Sequence, residues 1–259
     1  MQQLQAYGAP DMPVDVIWPP VGRQCDETGR AKLNRILNIG RFFPAGHCKR
    51  QDLLIEAFKL LIDTCSTDLE LHLVGGVNFH PDHEAYLARC QELAQGLPVF
   101  FHLNADRTKV SQLLETSSVY WHGTGMESNE VSTPWELEHF GISICEAMNA
   151  GCIAMAPNRG GPREIIENGI NGYLFEDAVE LIELTRSVIH NRCPAAIEEM
   201  RRRAAAAGLR FTRAAFCCRW DQIIFELNDG SSENRQEDHQ SRVPVRGLRL
   251  EDPSLASAE

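Results

Sequence analysis

The chain has 259 residues, 43% of them hydrophobic, and a formal net charge of −11, so it can bury a sizeable core as one large domain or two small ones. The acidic balance argues against non-specific attachment to nucleic acid or to anionic lipid. No apolar run approaches the roughly 20 residues that cross a bilayer, and Met1-Gln2-Gln3-Leu4-Gln5-Ala6 has neither the basic flank nor the apolar stretch of a signal peptide. Nine cysteines lie scattered without Cys-x-x-Cys or zinc-type spacing, the adjacent Cys217-Cys218 being the closest, and there is no Asn-x-Ser/Thr sequon. Buried, reduced thiols in a cytosolic protein are the expectation.

Residues 1–33 read as polar and turn-rich, apart from a short apolar stretch, Val14 to Val21, that contains Pro19-Pro20. From Asn34 strands and helices alternate. Arg35 to Gly40 reads as a strand, and Leu53, Leu54, Ala57, Phe58, Leu61 and Cys65 then recur at helical spacing. Leu69 to Val74 is a strand closed by Gly75-Gly76. Asp82 to Gln95 is helical, with Gly96 and Pro98 as stop signals. Val99 to Leu103 is a strand, Asp106 caps a helix running to about Glu115, and Val119 to His122 is a strand. A long loop leads to a helix over about 141–150, followed by a strand over 152–156. A short helix near 162–167, a turn at Asn168-Gly169 and a strand from Gly172 to Phe175 complete the alternation. Helices over about 177–190, 195–208 and 212–228 follow. The last carries the apolar stripe Phe211, Ala215, Phe216, Trp220, Ile223, Ile224 and Leu227. Such alternation implies an α/β fold, a doubly wound parallel sheet with both faces covered. Residues 34–228 are expected to form this one domain. Residues 229–259, rich in Ser, Glu, Gln and Arg without periodicity, are expected to be disordered. No internal repeat is visible.

Open α/β sheets bind ligands beyond the carboxyl ends of their strands. The polar residues that follow strands are Gly40-Arg41, Gly75-Gly76, His122-Gly123-Thr124-Gly125 and Asn158-Arg159-Gly160-Gly161, and all should line one rim. Between the last two lies Glu138-His139-Phe140-Gly141-Ile142-Ser143-Ile144-Cys145-Glu146-Ala147-Met148. One acid precedes a Phe-Gly turn and a helix start able to hold anions, and a second acid follows about one turn in. Carboxylates accept hydrogen bonds, and sugars and riboses are rings of hydroxyl donors. Glu146 sits among Ile144, Cys145, Ala147 and Met148, so its helix should be mostly buried, and a buried carboxylate needs partners. The backbone N–H groups of Phe140, Gly141 and Ile142 are candidates for binding hydroxyls or phosphate. His122 ends a strand and reads equally as structural or functional. His80 and His83 make a His-x-x-His pair, but Pro81 lies between them and no third ligand is evident, so no metal is expected. Gly75-Gly76 resembles half of a dinucleotide fingerprint. The full G-x-G-x-x-G with a ribose-binding acid is missing, which weakens an NAD-linked oxidoreductase.

The motif Glu138, Phe140-Gly141, Glu146, Ala147-Met148 and Gly151 resembles the signature of the retaining, nucleotide-sugar-dependent glycosyltransferases of family 4, which have two Rossmann-like domains (the GT-B fold). His139 stands where that family usually has Pro. The resemblance runs from about Val16 to about Leu227 and covers only the second, C-terminal half, the half that binds the donor. It implies that Pro19-Pro20 ends the strand entering this half from an acceptor-binding first domain, which is missing from this chain or lies on a separate one. A chain starting there reads as an excised domain or a split gene.

The resemblance further implies site roles. Arg41, after the first strand, and Lys49, at the next helix start, would bind the diphosphate. The longer loop Phe42 to Cys48 and the adjacent Arg50 leave a solvated lysine as the other reading of Lys49. Glu146 would take both ribose hydroxyls. Glu138 would contact donor-sugar hydroxyls rather than act as a nucleophile, since these enzymes react on one face with acceptor and leaving group held together. Gly75 and Gly76 join the donor-contacting candidates. The implied activity is transfer of a hexose from a nucleotide diphosphate sugar with retention, without a metal or other cofactor. The alternative is a non-catalytic nucleotide-sugar-binding half, a scaffold or a truncated remnant, that needs a partner acceptor domain. The expected location is the cytoplasm, with any peripheral membrane attachment made through the missing domain.

Overall fold

The computed structural model describes residues 16–22, 31–64, 68–190 and 193–233. The expectations for residues 1–15, including the N-terminal Met1 to Ala6, for residues 23–30 and for the tail beyond 233 lie outside the described residues. Six strands form: β1 (Leu33–Ile39), β2 (Glu70–Gly75), β3 (Val99–Leu103), β4 (Ser117–Trp121), β5 (Ile153–Pro157) and β6 (Tyr173–Phe175). All pair in parallel in one sheet of order β3-β2-β1-β4-β5-β6. β4 and β5 are buried at every residue, as strands covered on both faces must be. Alternate side chains feed two cores. Ile36, Phe58, Leu61, Trp121 and Met155 pack on one face. Leu37, Tyr120, Ile144, Met148 and Ala154 pack on the other.

The helices are α1 (Gln51–Ile62), α2 (Pro81–Leu93), α3 (Arg107–Thr116), α4 (Ile142–Asn149), α5 (Pro162–Ile165), α6 (Ala178–Ile189), α7 (Pro194–Gly208) and α8 (Arg213–Glu233). Asp106 caps α3 as its sequence position suggests, accepting from the Lys109 N–H at 2.7 Å. His80 caps α2, its Nδ1 accepting from the Asp82 N–H at 3.3 Å. That gives this histidine a structural task at a helix start whose first residue is proline.

Two expectations change. Helix α8 continues through residues 229–233, which were expected to be disordered. No proline interrupts the chain between Arg213 and Pro244, and a single Gly230 costs only about 1 kcal/mol, too little to stop a helix under way. The thiols are not all buried. Cys48, Cys90, Cys145 and Cys152 are buried and free, whereas Cys193, Cys217 and Cys218 are exposed, because these three begin or belong to outer helices; Cys25 and Cys65 lie outside the described residues. The chain divides into two compact units, 1–217 and 218–259, within α8.

The entry segment is fastened to its own unit. The Val21 N–H donates to the Phe211 carbonyl at 2.6 Å. Trp18 packs edge-on against Phe211 with centroids 6.0 Å apart and donates its indole N–H to Glu164 Oε2 at 3.1 Å. Among the described residues no helix is long and apolar enough to cross a membrane.

The strand order reverses between β1 and β4. From β1 the chain winds outward to β2 and β3, then returns to β4 on the other side. The carboxyl ends of β1 and β4 therefore border the crevice where doubly wound sheets take their ligands.

Candidate active site

Glycines let the backbones crowd at this crevice. A Cβ on Gly75, at the end of β2, would overlap the Gly40 carbonyl oxygen beyond β1, and one on Gly40 would overlap the Lys49 side chain. Lys49 can cross the end of β1 only because Gly40 has no side chain. The Phe42 N–H donates to the Gly76 carbonyl at 3.1 Å, so Gly75 and Gly76 serve the join between β1 and β2. Fully buried Gln51 donates through Nε2 to the carbonyls of Gly40 at 3.1 Å and Arg41 at 3.3 Å. Arg41 itself is exposed, its guanidinium carbon 5.7 Å from the Phe43 ring centroid.

Glu138 is the centre of the arrangement. Lys49 Nζ donates to its Oε2 at 2.7 Å. His122, the residue after β4, places Nε2 3.2 Å from the same oxygen but is not aligned for a hydrogen bond; the ring is wholly buried and neither nitrogen has a formed partner. Burial by itself would raise the Glu138 carboxyl, but His122 and Lys49 outweigh it and hold the group well below the usual carboxylate range. Burial pushes His122 down, against the pull of Glu138. Near neutral pH the pair is a carboxylate beside a neutral imidazole. His47 and His139 meet edge-on near this carboxylate with centroids 4.3 Å apart. Burial, then the neighbouring His139, lowers His47.

Helix α4 presents the second acid. Its residues Ile144, Cys145, Ala147 and Met148 are wholly buried, and Glu146 between them is half-buried. Beneath the site the Tyr120 hydroxyl donates to Ser143 Oγ at 2.7 Å. Burial above all pushes the pKa of this phenol up, and the charges of Glu138 and Glu146 both add to that. The two carboxylates thus lie within electrostatic reach of one buried phenol. Phe140 and Gly141 lead into α4. Gly141 has φ of 108°, and a Cβ there would meet Ile144 Cδ1 at 2.6 Å, so only glycine suits the start of this helix. The Phe140 N–H points back at Glu138 Oε1 across 3.5 Å.

The structure therefore brings Lys49, Glu138 and His122 into contact and sets Glu146 and the 140–142 helix start beside them. Arg41 is exposed beyond the end of β1, over the Phe43 ring, and Gly75 and Gly76 lie in the supporting backbone. Asn38 Oδ1 and Thr124 Oγ1, at the ends of the same two strands, are also buried without partners. Buried orphan polar atoms of this kind ask for a ligand or water. Spacing alone missed the fastening of the loop after β4. Arg50 Nη1 donates to the Met126 carbonyl at 3.1 Å, and Arg159 Nη1 to the Ser128 carbonyl at 3.0 Å. Glu130 Oε1 accepts from the Gly160 N–H at 3.1 Å and from Arg163 Nη1 at 2.8 Å. The Gly-Gly run at 160–161 was the available hint. A Cβ on Gly160 would lie 2.6 Å from the Glu138 carbonyl, so these glycines let two loops touch.

The family model described as glycosyl transferases group 1 matches residues 26–210. Among curated proteins, the chain is 27% identical over 248 residues to the GDP-Man:Man(3)GlcNAc(2)-PP-Dol alpha-1,2-mannosyltransferase of Dictyostelium discoideum, covering 88% of this chain and 45% of that protein. It is 28% identical over 193 residues to the Homo sapiens protein of the same name, covering 70% and 36%. The chain thus spans about half or less of the length of these relatives. Among solved structures, Anabaena HepE in complex with UDP superposes with a TM-score of 0.60 at 23% identity, over 74% of this chain and 48% of that one. Sucrose-phosphate synthase from Thermosynechococcus elongatus gives 0.58 at 18% identity, over 89% and 49%. These likenesses show the fold, a Rossmann-like sheet as in GT-B glycosyltransferases.

Proposed function

The chain belongs to the glycosyl transferases group 1, and from that premise we propose that it is the donor-binding half of an enzyme that transfers a hexose from a nucleoside diphosphate sugar to an acceptor, with retention at the anomeric carbon. The observation that carries this reading is Glu138, kept ionised between Lys49 and His122 at the switch-point crevice. An ionised carboxylate held in place accepts hydrogen bonds from sugar hydroxyls and orients the ring.

In this reading Arg41 and Lys49 face the diphosphate. As the glycosidic bond breaks, its electron pair leaves with the diphosphate, and cations fixed beside that group stabilise the growing charge. They supply this charge themselves, so the reading needs no metal. Glu146 takes the ribose hydroxyls, and the N–H groups of Phe140, Gly141 and Ile142 meet donor hydroxyls or phosphate. Glu138 is already occupied by Lys49, with the His122 ring against the same oxygen, which favours a positioning task over attack on the anomeric carbon. Retention then follows from reaction on one face: the acceptor oxygen bonds to the carbon on the side the phosphate leaves, and the acceptor proton passes to the departing phosphate oxygen.

The relatives' names make GDP-mannose the first donor to test and a saccharide the first acceptor class. UDP sugars come second, on the Anabaena likeness. The partner is an acceptor domain on the same or another polypeptide, and a cytosolic location with any membrane attachment through that domain belongs to the same reading. Calorimetric titration with GDP, UDP and ADP tests the proposal: heat of binding is expected for at least one nucleotide, and none with any of the three would overturn it.

A further inference from the structure

We propose that the cleft between Glu138 and Trp135 is a saccharide subsite for the acceptor, contributed by the donor-binding half itself. This rests on the donor reading above and adds the substrate on its other side. The cleft has a volume of about 580 Å³, within the range of roughly 300–1,000 Å³ usual for small-molecule sites. Its lining includes Glu130, Trp135, Glu138, His139, Arg163 and Glu164. That combination suits a sugar ring, which has an apolar C–H face for an aromatic platform and a rim of hydroxyls for carboxylates and a guanidinium.

A single exposed tryptophan would by itself mean nothing. Trp135 is 58% exposed, but it sits on a 3-10 turn, Pro134–Glu136, within a connection from β4 to α4 that spans residues 122–141. Connections of this length are uncommon in compact domains unless they serve a function. Three arginines from other elements, Arg50, Arg159 and Arg163, fasten this one. Asn129 Oδ1 braces it from within, accepting from the N–H groups of Val131 at 2.9 Å and Ser132 at 3.0 Å. The polar groups of the cleft are likewise held. Glu130 is fixed by Gly160 and Arg163 and still keeps a lone pair on Oε2. Glu164 is fixed by the Trp18 indole. A tethered platform with pre-set acceptors binds at low ordering cost.

Position decides which sugar it takes. Glu138 belongs to both places, lining the cleft and bonding Lys49. Neither Arg41 nor Lys49 is among the residues lining the cleft, so the charged end of a donor is anchored elsewhere. A ring stacked on Trp135 would lie next to a hexose held at Glu138, where an attacking hydroxyl belongs.

The test follows the backbone amide resonances of Glu130, Leu137, His139, Gly160 and Gly161, which line the cleft, in the full chain and its variants by NMR during titration with the methyl α-glycosides of mannose, glucose and N-acetylglucosamine, without and with saturating GDP or UDP. At least one glycoside should shift those resonances, and the Trp135 indole resonance of the parent, saturably at millimolar concentration. Trp135→Ala should weaken its binding about tenfold or more, and Trp135→Phe should restore most of it, with nucleotide affinity unchanged in both variants. No saturable shift with any glycoside overturns the subsite. So does a response that survives Trp135→Ala but disappears with Glu138→Gln, since that sugar sits in the donor position. Nucleotide affinity is read separately by calorimetry, so loss of the donor reading and loss of the subsite are distinguishable.

Discussion

Glu138 and Glu146 carry the same charge but sit in different settings, and substitution should separate them. Glu138 pairs with Lys49 at 2.7 Å beside the buried His122, and it lines the cleft at Trp135. Glu146 lies one turn into α4. Glu146→Gln should weaken free nucleotide by roughly 1.5–3 kcal/mol, the range for a charge-assisted hydrogen-bonded pair. Glu138→Gln should spare free nucleotide and weaken only the nucleotide sugar. Calorimetry with both ligands on both variants decides, and equal losses would show that the roles are wrongly divided. A second residue-scale effect lies far from the site. His72 on β2 shares a hydrogen bond with His102 at 2.9 Å, and its other ring nitrogen meets Glu70 at 3.0 Å. Burial lowers His72 to about 4, against the opposing hydrogen bond it makes to Glu70. A depressed histidine means that the unfolded chain takes up the proton first. Stability is therefore full above about pH 6.5 and falls as the pH drops towards 4, by at most about 1.4 kcal/mol per pH unit for this one group. Urea titrations at pH 7.5, 6 and 5 should show a shallower fall for His72→Gln than for the parent, and parallel curves would sink the assignment.

At the scale of elements, the glycines at the strand ends set how closely the loops approach. Gly75→Ala would press a methyl group on the Gly40 carbonyl. Overpacking of this kind costs typically about 1–3 kcal/mol, and because Gly40 also accommodates Lys49, nucleotide affinity should fall with stability. Urea midpoints and a nucleotide titration on the same variant check both; a neutral substitution would mean that the strands part easily. The elements themselves were largely legible in the sequence. Apolar runs such as Ile153 to Pro157 are short and lie between turn signals, and the structure buries them completely. Asp106 read as a cap and is one. The end of α8 was not legible, because a polar composition without a proline looks the same in a frayed helix and in a coil. Much of the candidate site could be read from residue types at strand ends. The contact of His122 with Glu138 could not, since it joins residues from a strand end and a distant loop. The Glu130 and Arg159 ties were equally hidden, because surface acids and arginines are usually just solvated.

For the whole molecule, the decisive fact is that the site lies at the carboxyl ends of the central strands of one sheet. Glu138 is 12% exposed at its side chain, Arg41 and His139 are exposed, and Glu138 and His139 line the cleft at Trp135. Transfer to an acceptor competes with transfer to water, and enzymes of this chemistry exclude water by closing a second wall over the reacting groups. The chain spans less than half of the Dictyostelium and human relatives, and under the function proposed above the wall comes from an acceptor domain. These 259 residues should therefore bind a nucleoside diphosphate yet transfer little or no sugar alone. Adding the first domain of a relative should restore measurable transfer, with half-saturation set by the affinity of the two pieces. Product formation from radiolabelled GDP-mannose or UDP-glucose, with sedimentation of the mixture, reads both quantities. Robust turnover by the single chain would show that this one sheet closes its own site. Binding of the added domain without any turnover would point instead to the scaffold reading, because then the geometry around Glu138 holds a donor without completing its transfer.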